Sequence, residues 1–263
     1  MHRIYFLFPL LVLSIDCRPN ASGAITVVGS TSVQPFVEKL AEEYMKRHPK
    51  VKINVQGGGS TAGIMAVTDG ACNIGMSSRH LKVDESGLDT ITIAHDAIAV
   101  IVHPKNSLKE LTLQEIRDIF AGKIKNWNRF GWSDATIVVV TREEGSGTRG
   151  AFCELVMEDS EISDEALVQD SNGAVREIVA RDENAIGYIS FGLLDDRVKA
   201  LAIDNVEPNI ENITEGKYSL KRPFLLLVKE GSRCNLSDSF ISYTLSKDGQ
   251  SSLAQEGLIP SRP

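Results

Sequence analysis

Three stretches of this chain put hydroxyls and glycines side by side where a strand gives way to a helix. They are Gly29-Ser30-Thr31-Ser32, Gly57-Gly58-Gly59-Ser60-Thr61 and Glu144-Gly145-Ser146-Gly147-Thr148. Each offers hydroxyl donors and unpaired backbone N–H groups at a helix start, where the peptide dipoles add partial positive charge. Glycine lets a ligand come close to the backbone. That chemistry suits an anion. One such turn is weak support, because Ser and Thr cap most helices. Three in one chain, one of them preceded by Arg142, point to a shared ligand. An arginine at a strand end can grip an oxyanion through two charge-assisted hydrogen bonds. The plainer reading is a surface ion pair with Glu143 or Glu144, which is worth little. Arg79 and Arg149 rank below Arg142, Arg149 because it falls inside the helix.

Other chemistries fit less well. Gly145-Ser146-Gly147 lacks the Gly-x-Ser-x-Gly spacing of a hydrolase elbow. No Gly-x-x-x-x-Gly-Lys-Ser/Thr loop is present, so a nucleoside triphosphate site is not expected. The histidines, His2, His48, His80, His95 and His103, show no ligand spacing, and Cys17, Cys72, Cys153 and Cys234 form no CxxC pair. Neither a metal nor a cofactor is expected. A triad of Ser146, His95 and Asp96 would make a secreted serine hydrolase. It would leave the other two Ser/Thr corners unexplained, so no catalytic residue is assigned.

The elements that must hold these corners alternate between strand and helix, which predicts α/β layering. Ile25 to Val28 reads as a strand. Val33, Phe36, Val37, Leu40, Ala41, Tyr44 and Met45 follow at helical spacing, with Thr31 and Ser32 placed to cap that helix and Pro35 in its first turn. Residues 51–55 alternate as a strand, and a short helix runs to about Val67. Ile74 to Met76, Ile98 to Val102, Ile137 to Val140, Ile186 to Ser190 and Phe224 to Val228 read as further strands. Thr112 and Glu115 make a capping-box signature for a helix ending near Gly122. Helices are also expected around Phe152 to Val156, Ala174 to Val179 and Phe240 to Leu245.

The 263 residues are 42% hydrophobic and 24% charged, an ordinary globular composition. The net charge of -7 argues against nucleic acid as a partner. It does not argue against a locally positive anion site. Arg3 precedes an apolar run from Ile4 to Ile15, too short to cross a bilayer, which needs ~20 residues. The run reads as the core of a signal peptide over 1–23, with Ala21-Ser22-Gly23 as the cleavage site. An extracytoplasmic location follows. Cys17 raises a lipid anchor, but Ile15 and Asp16 occupy positions where a lipobox has small residues.

These residues resemble the phosphate-binding proteins of Pst-type ABC transporters. The resemblance covers nearly all of the mature chain. It rests on the first corner with Pro35, on Gly57-Gly58-Gly59-Ser60, and on Asn73-Ile74-Gly75-Met76-Ser77-Ser78-Arg79. It continues in Asp118-Ile119-Phe120-Ala121-Gly122-Lys123-Ile124 with Asn126-Trp127, in Arg142 to Thr148, and in Ala185-Ile186-Gly187-Tyr188. The resemblance implies an α/β, type II periplasmic-binding-protein fold, two α/β lobes joined by two crossing hinge strands. Lobe I would comprise 24–101 plus 222–263 and lobe II 102–221, with hinges near Val100 to His103 and Lys221 to Leu225. Phosphate would sit between the lobes on Thr31, Ser32, Ser60, Ser78, Arg142, Ser146, Gly147 and Thr148. The implied partner is the membrane permease of an ABC phosphate importer, and the chain is expected to act as a monomer.

One departure stands out. Some family members carry aspartate where this chain has Ser78, and that carboxylate accepts the proton of phosphate and repels sulfate. Asp96 stands where those relatives have glycine, and it is expected to supply the missing carboxylate, against the plainer reading of a solvated or capping aspartate. Without it, another oxyanion (sulfate, molybdate or tungstate) becomes the alternative ligand.

Overall fold

A computed structural model describes residues 23–261. The expected signal peptide and Cys17 lie outside the described residues. The chain begins with strand β1 (Gly23–Gly29), helix α1 (Gln34–Arg47), β2 (Val51–Gly57), α2 (Ser60–Thr68) and β3 (Ile74–Ser77). β1 pairs in parallel with both β2 and β3. α1 buries Phe36, Val37, Leu40, Ala41 and Tyr44, the stripe its spacing predicts. Its N-cap is Val33, with no side-chain cap. Thr31 and Ser32 are therefore not the helix caps that the sequence suggested. Ser30 Oγ instead accepts from the backbone N–H groups of Ser32 and Val33, which leaves the next two hydroxyls to face elsewhere.

The long strand β4 (Leu88–Val102) is the spine of the molecule. Only residues 98–102 were legible as a strand, because Asp89, Thr90, Thr92 and His95 break up the apolar pattern of its first half. After β4 come β5 (Glu110–Leu111), α3 (Leu113–Phe120), β6 (Val138–Arg142), α4 (Gly147–Phe152), β7 (Leu167–Gln169), α5 (Asn172–Arg181) and β8 (Ala185–Ser190). The chain closes with β9 (Lys199–Ala200), β10 (Ala202–Ile203), α6 (Ile210–Thr214), β11 (Lys221–Lys229), α7 (Asn235–Thr244), α8 (Lys247–Gln255) and β12 (Ile259–Pro260). α3 carries the capping box, with Thr112 Oγ1 accepting from Glu115 N and Glu115 reaching back to Thr112 N.

The strands run in the order β2-β1-β3-β11-β4-β8-β6-β7. Along its first part β4 pairs antiparallel with β11, from Leu88↔Lys229 to Ala97↔Lys221. From Ile98 to Val102 it pairs antiparallel with β8. One continuous strand thus serves two sheets. Pro223 interrupts the ladder of β11 beside an irregularity at Phe224/Leu225, where a proline does least harm.

Two main cores flank this spine. One gathers Ile25, Phe36, Leu40, Ile74, Phe224 and Phe240. The other gathers Ile98, Ile119, Phe120, Trp127, Phe152 and Tyr188. In the second, the Phe152 and Tyr188 rings stack at 4.0 Å, and Tyr188 Oη shares a hydrogen bond with Thr141 Oγ1. That packing locks the end of β6 just before Arg142.

Candidate anion-binding site

The three Ser/Thr/Gly corners meet between the two cores. On one side, β1 ends in Gly29 and β2 in Gly57, and both release the chain at the same edge of a parallel sheet, where ligands of open α/β sheets collect. Ser32, Ser60 and Ser78 are all buried there. Ser60 Oγ accepts from Ser78 N at 3.1 Å. Ser78 Oγ accepts from Ser30 Oγ at 2.9 Å and lies 3.5 Å from Ser60 Oγ. Gly59, the N-cap of α2, holds φ 89, a left-handed conformation that favours glycine.

On the other side, β6 delivers Arg142, whose side chain is 1% exposed. Nε and Nη2 grip both carboxylate oxygens of Glu143 at 2.9 Å. Nε also donates to Gln169 O, and Nη2 to Asp170 O. Nη2 further reaches Thr31 Oγ1 at 3.1 Å. Nη1 is buried with no partner. Arg142 is thus ion-paired with Glu143 through Nε and Nη2, while Nη1 has no protein partner. The pair is not the exposed kind, so the arginine is oriented and desolvated rather than loosely tethered.

Ser146 caps α4, accepting from Arg149 N at 3.2 Å. As a hydroxyl it keeps its proton to donate. Gly147 follows, and its backbone packs against the opposite corner so tightly that a Cβ would fall on Ser60 Oγ and lie 2.5 Å from Ser78 Oγ. The two sides touch directly. Thr61 N donates to Gly145 O at 3.1 Å, and Ser32 Oγ and Thr148 Oγ1 share a hydrogen bond of 2.6 Å. The conformation is the one in which the two sides are closed upon each other.

The structure brings Thr31, Ser32, Ser60, Ser78, Arg142, Ser146, Gly147 and Thr148 together. It treats Asp96 differently. Its Oδ2 accepts from Arg222 Nε at 3.0 Å, Arg222 Nη2 at 2.9 Å and Ser190 Oγ at 2.8 Å. Its Oδ1 accepts from Gly192 N at 3.2 Å. Asp96 is therefore not the free carboxylate expected at the ligand. It is the counterion of a buried arginine, and it reaches Thr148 only through that arginine. The Ser146–His95–Asp96 triad is not assembled either. Among the described residues no hydrogen bond links the three, and His95 and Asp96, adjacent on a strand, point to opposite faces.

Two buried residues escaped the sequence reading. Arg222 donates from Nη1 to Thr148 Oγ1 at 2.9 Å and to Ser78 O at 3.4 Å. Burial pulls its pKa below the usual arginine range, and Asp96 works against that fall. Asn172 Nδ2 donates to Ser32 Oγ at 2.9 Å. Arg222 stands just ahead of the apolar run Phe224 to Val228, but nothing local says which residues it meets. Asn172 sits in Ser171-Asn172-Gly173, where helix-start chemistry hides any second role.

A family model described as the PBP superfamily domain matches residues 18–248. The phosphate-binding protein PstS of Bacillus subtilis is 36% identical over 248 residues, covering 92% of this chain and 82% of that protein. PstS of Borreliella burgdorferi is 26% identical over 275 residues, covering 98% and 99%. Among solved structures, a phosphate ABC transporter substrate-binding protein with bound phosphate from Clostridium perfringens superposes with a TM-score of 0.89. It is 44% identical, and the match covers 91% of this chain and all of that one. An ABC-type phosphate transport receptor from Vibrio cholerae gives 0.77 at 37% identity, covering 89% and 99%.

Proposed function

The chain belongs to the PstS family of phosphate-binding proteins, and from that premise we propose how its closed cleft takes up phosphate. Its role is to bind inorganic phosphate outside the cytoplasm and deliver it to an ABC importer. It is a binding protein, not an enzyme. The ligand shell consists of Thr31, Ser32, Ser60, Ser78, Arg142, Ser146, Gly147 and Thr148. The observation that carries this assignment is Arg142 Nη1, a buried cationic donor without a protein partner among converging hydroxyls. An unpaired buried donor is costly, and a bound oxyanion removes that cost.

Phosphate is strongly hydrated, so the cleft must replace each lost water contact with a fixed donor. Donors from both sides do so only when the lobes close, which couples ligand to shape and shape to the permease. We divide the chain into lobe I, 24–101 plus 222–263, and lobe II, 102–221, joined near Val100 to His103 and Lys221 to Leu225. The segregation of the two main cores about β4 supports that division. The protein acts as a monomer without nucleic acid. Cys17 is the residue a lipid anchor would use, and metabolic labelling with palmitate distinguishes an anchored from a released form.

Calorimetric titration of the purified protein with phosphate tests the proposal. Saturable binding at one site, abolished in Arg142→Ala, is the expected result. No phosphate heat in the folded wild type would overturn it, as would steady hydrolysis of a model phosphate ester that vanishes in Ser146→Ala. A second reading, a site for sulfate, molybdate or tungstate, draws on Ser78 and the engaged Asp96, which leave the cleft without a free carboxylate to read a ligand proton. Titration with those anions in parallel separates the two.

A further inference from the structure

Each of the six cleft hydroxyls accepts a hydrogen bond from the protein. Thr31 Oγ1 accepts from Arg142 Nη2, and Ser60 Oγ from Ser78 N. Ser78 Oγ accepts from Ser30 Oγ, and Ser146 Oγ from Arg149 N. Thr148 Oγ1 accepts from Arg222 Nη1 and Ser32 Oγ from Asn172 Nδ2. Arginine can only donate. The amide of Asn172 is oriented by its other end, because Oδ1 accepts from the backbone N–H of Ser190 at 3.1 Å, a group that also can only donate. A hydroxyl has one proton and two lone pairs. Occupying its oxygen from behind aims its proton forward.

We infer that the cleft is a donor-rich site that takes phosphate as its dianion, and that Arg222, anchored on Asp96, and Asn172 are the positioning residues that fix this polarity. The inference rests on the phosphate reading above and names the ionic species that reading leaves open. Ser32 and Thr148 share one hydrogen bond, so their two protons serve that bond and the ligand. The residues join into a ring that crosses both lobes: Asp96, Arg222, Thr148, Ser32, Asn172, Ser190 and back to Asp96. Asp96 and Arg222 are direct cross-strand neighbours on β4 and β11. The single proton of the dianion can go to a lone pair that a cleft hydroxyl still has, whereas a monoanion brings a second acidic proton that no free carboxylate meets.

Several charged groups beside the cleft are engaged by the protein. Glu143 is engaged by Arg142 and Asp96 by Arg222. Arg149 donates to Arg142 O, and Arg79 is held by Glu85. Outside the cleft, burial, and then the charge of Lys221, hold His95 below the usual histidine range.

The test is calorimetric affinity for phosphate below and above its second ionisation, in wild type, Arg222→Lys and Asn172→Asp. Wild-type affinity, per total phosphate, is expected to rise as the dianion becomes the main species. The His80→Gln/His95→Gln variant should keep that profile, because the titrating group is the ligand. Asn172→Asp turns a donor into an acceptor at nearly constant volume, and Ser32 must then surrender its proton to the new carboxylate. Dianion affinity should fall about tenfold to a hundredfold, and the pH profile should flatten or invert. Arg222→Lys keeps the charge but not the fork that joins Asp96 to Thr148, and it should weaken binding by about tenfold. Thermal melting without phosphate checks that each variant folds, and Asn172→Asp alone decides the matter if Arg222→Lys does not. Equal wild-type affinity on both sides of the ionisation overturns the inference while leaving phosphate binding intact. So does a profile that moves with the histidines, or an Asn172→Asp variant with the wild-type profile. Absence of phosphate binding in the wild type instead overturns the functional reading itself.

Discussion

A methyl group at position 147 would land on Ser60 Oγ, across the line where the lobes meet. Gly147→Ala should therefore leave the unliganded fold intact but oppose closure. Overpacking of this kind costs about 1–3 kcal/mol, so phosphate affinity should fall roughly tenfold to a hundredfold, read by calorimetry beside an unchanged melting temperature without ligand. Arg142→Lys should weaken binding by a similar factor, because three ammonium donors cannot replace a guanidinium fork that holds Glu143, Thr31 and two backbone carbonyls and still presents Nη1. The three corners that meet in the structure could be picked out from sequence because hydroxyls, glycines and helix starts are local features. Arg222 and Asn172 could not, because their roles depend on which distant hydroxyls they meet, 74 and 140 residues away along the chain. Asp96 was misjudged for the same reason. A buried carboxylate beside a cleft is a proton acceptor or a counterion according to its partner, and that partner arrives with β11.

Elements with local signatures behave as their residues suggest. Removing the α3 cap with Thr112→Ala should cost about 1 kcal/mol of stability, seen in urea melts, with phosphate affinity unchanged because α3 lies outside the cleft. The segment after β3 is held by a different device. Arg79 grips both oxygens of Glu85 at 2.7 Å. Hydrogen bonds from Arg79 hold the Glu85 pKa below the usual glutamate range, against a smaller opposing effect of burial. A lowered carboxylate pKa stabilises the fold above the unfolded value, about 4.3, and that contribution disappears as pH falls through the folded value. Glu85→Gln should be less stable than wild type near neutrality, with the difference vanishing in acid, as followed by thermal melts across pH. The first half of β4 was invisible for a physical reason. Its mixed pattern, with Thr90 exposed and Thr92 and His95 only partly buried, reflects a strand flanked by β11 on one side and only by the short β12 at its far end on the other, whereas its second half is buried throughout and reads as a plain apolar run. The helix at Phe152 was expected, but its continuation over Cys153–Met157 as a π-helix has no signature in residue spacing.

At the scale of the whole molecule, ligand and closure are one equilibrium. Phosphate at a hundred times its Kd should add about 2.7 kcal/mol to stability, measured as a rise in melting temperature and as slower tryptic cleavage, and Gly147→Ala should remove about half or more of both at the same phosphate concentration. The sheet order has a separate consequence for how the polypeptide is made. β11 lies between β3 and β4 and is hydrogen-bonded to each, although some 120 residues separate it from β4 along the chain. While the polypeptide emerges amino end first, β3 and β4 have no shared neighbour, and the first sheet waits incomplete for a strand synthesised near the end. Biogenesis is therefore staggered: the sheet of β1, β2 and β3 can be joined to β4 only once β11 has been made.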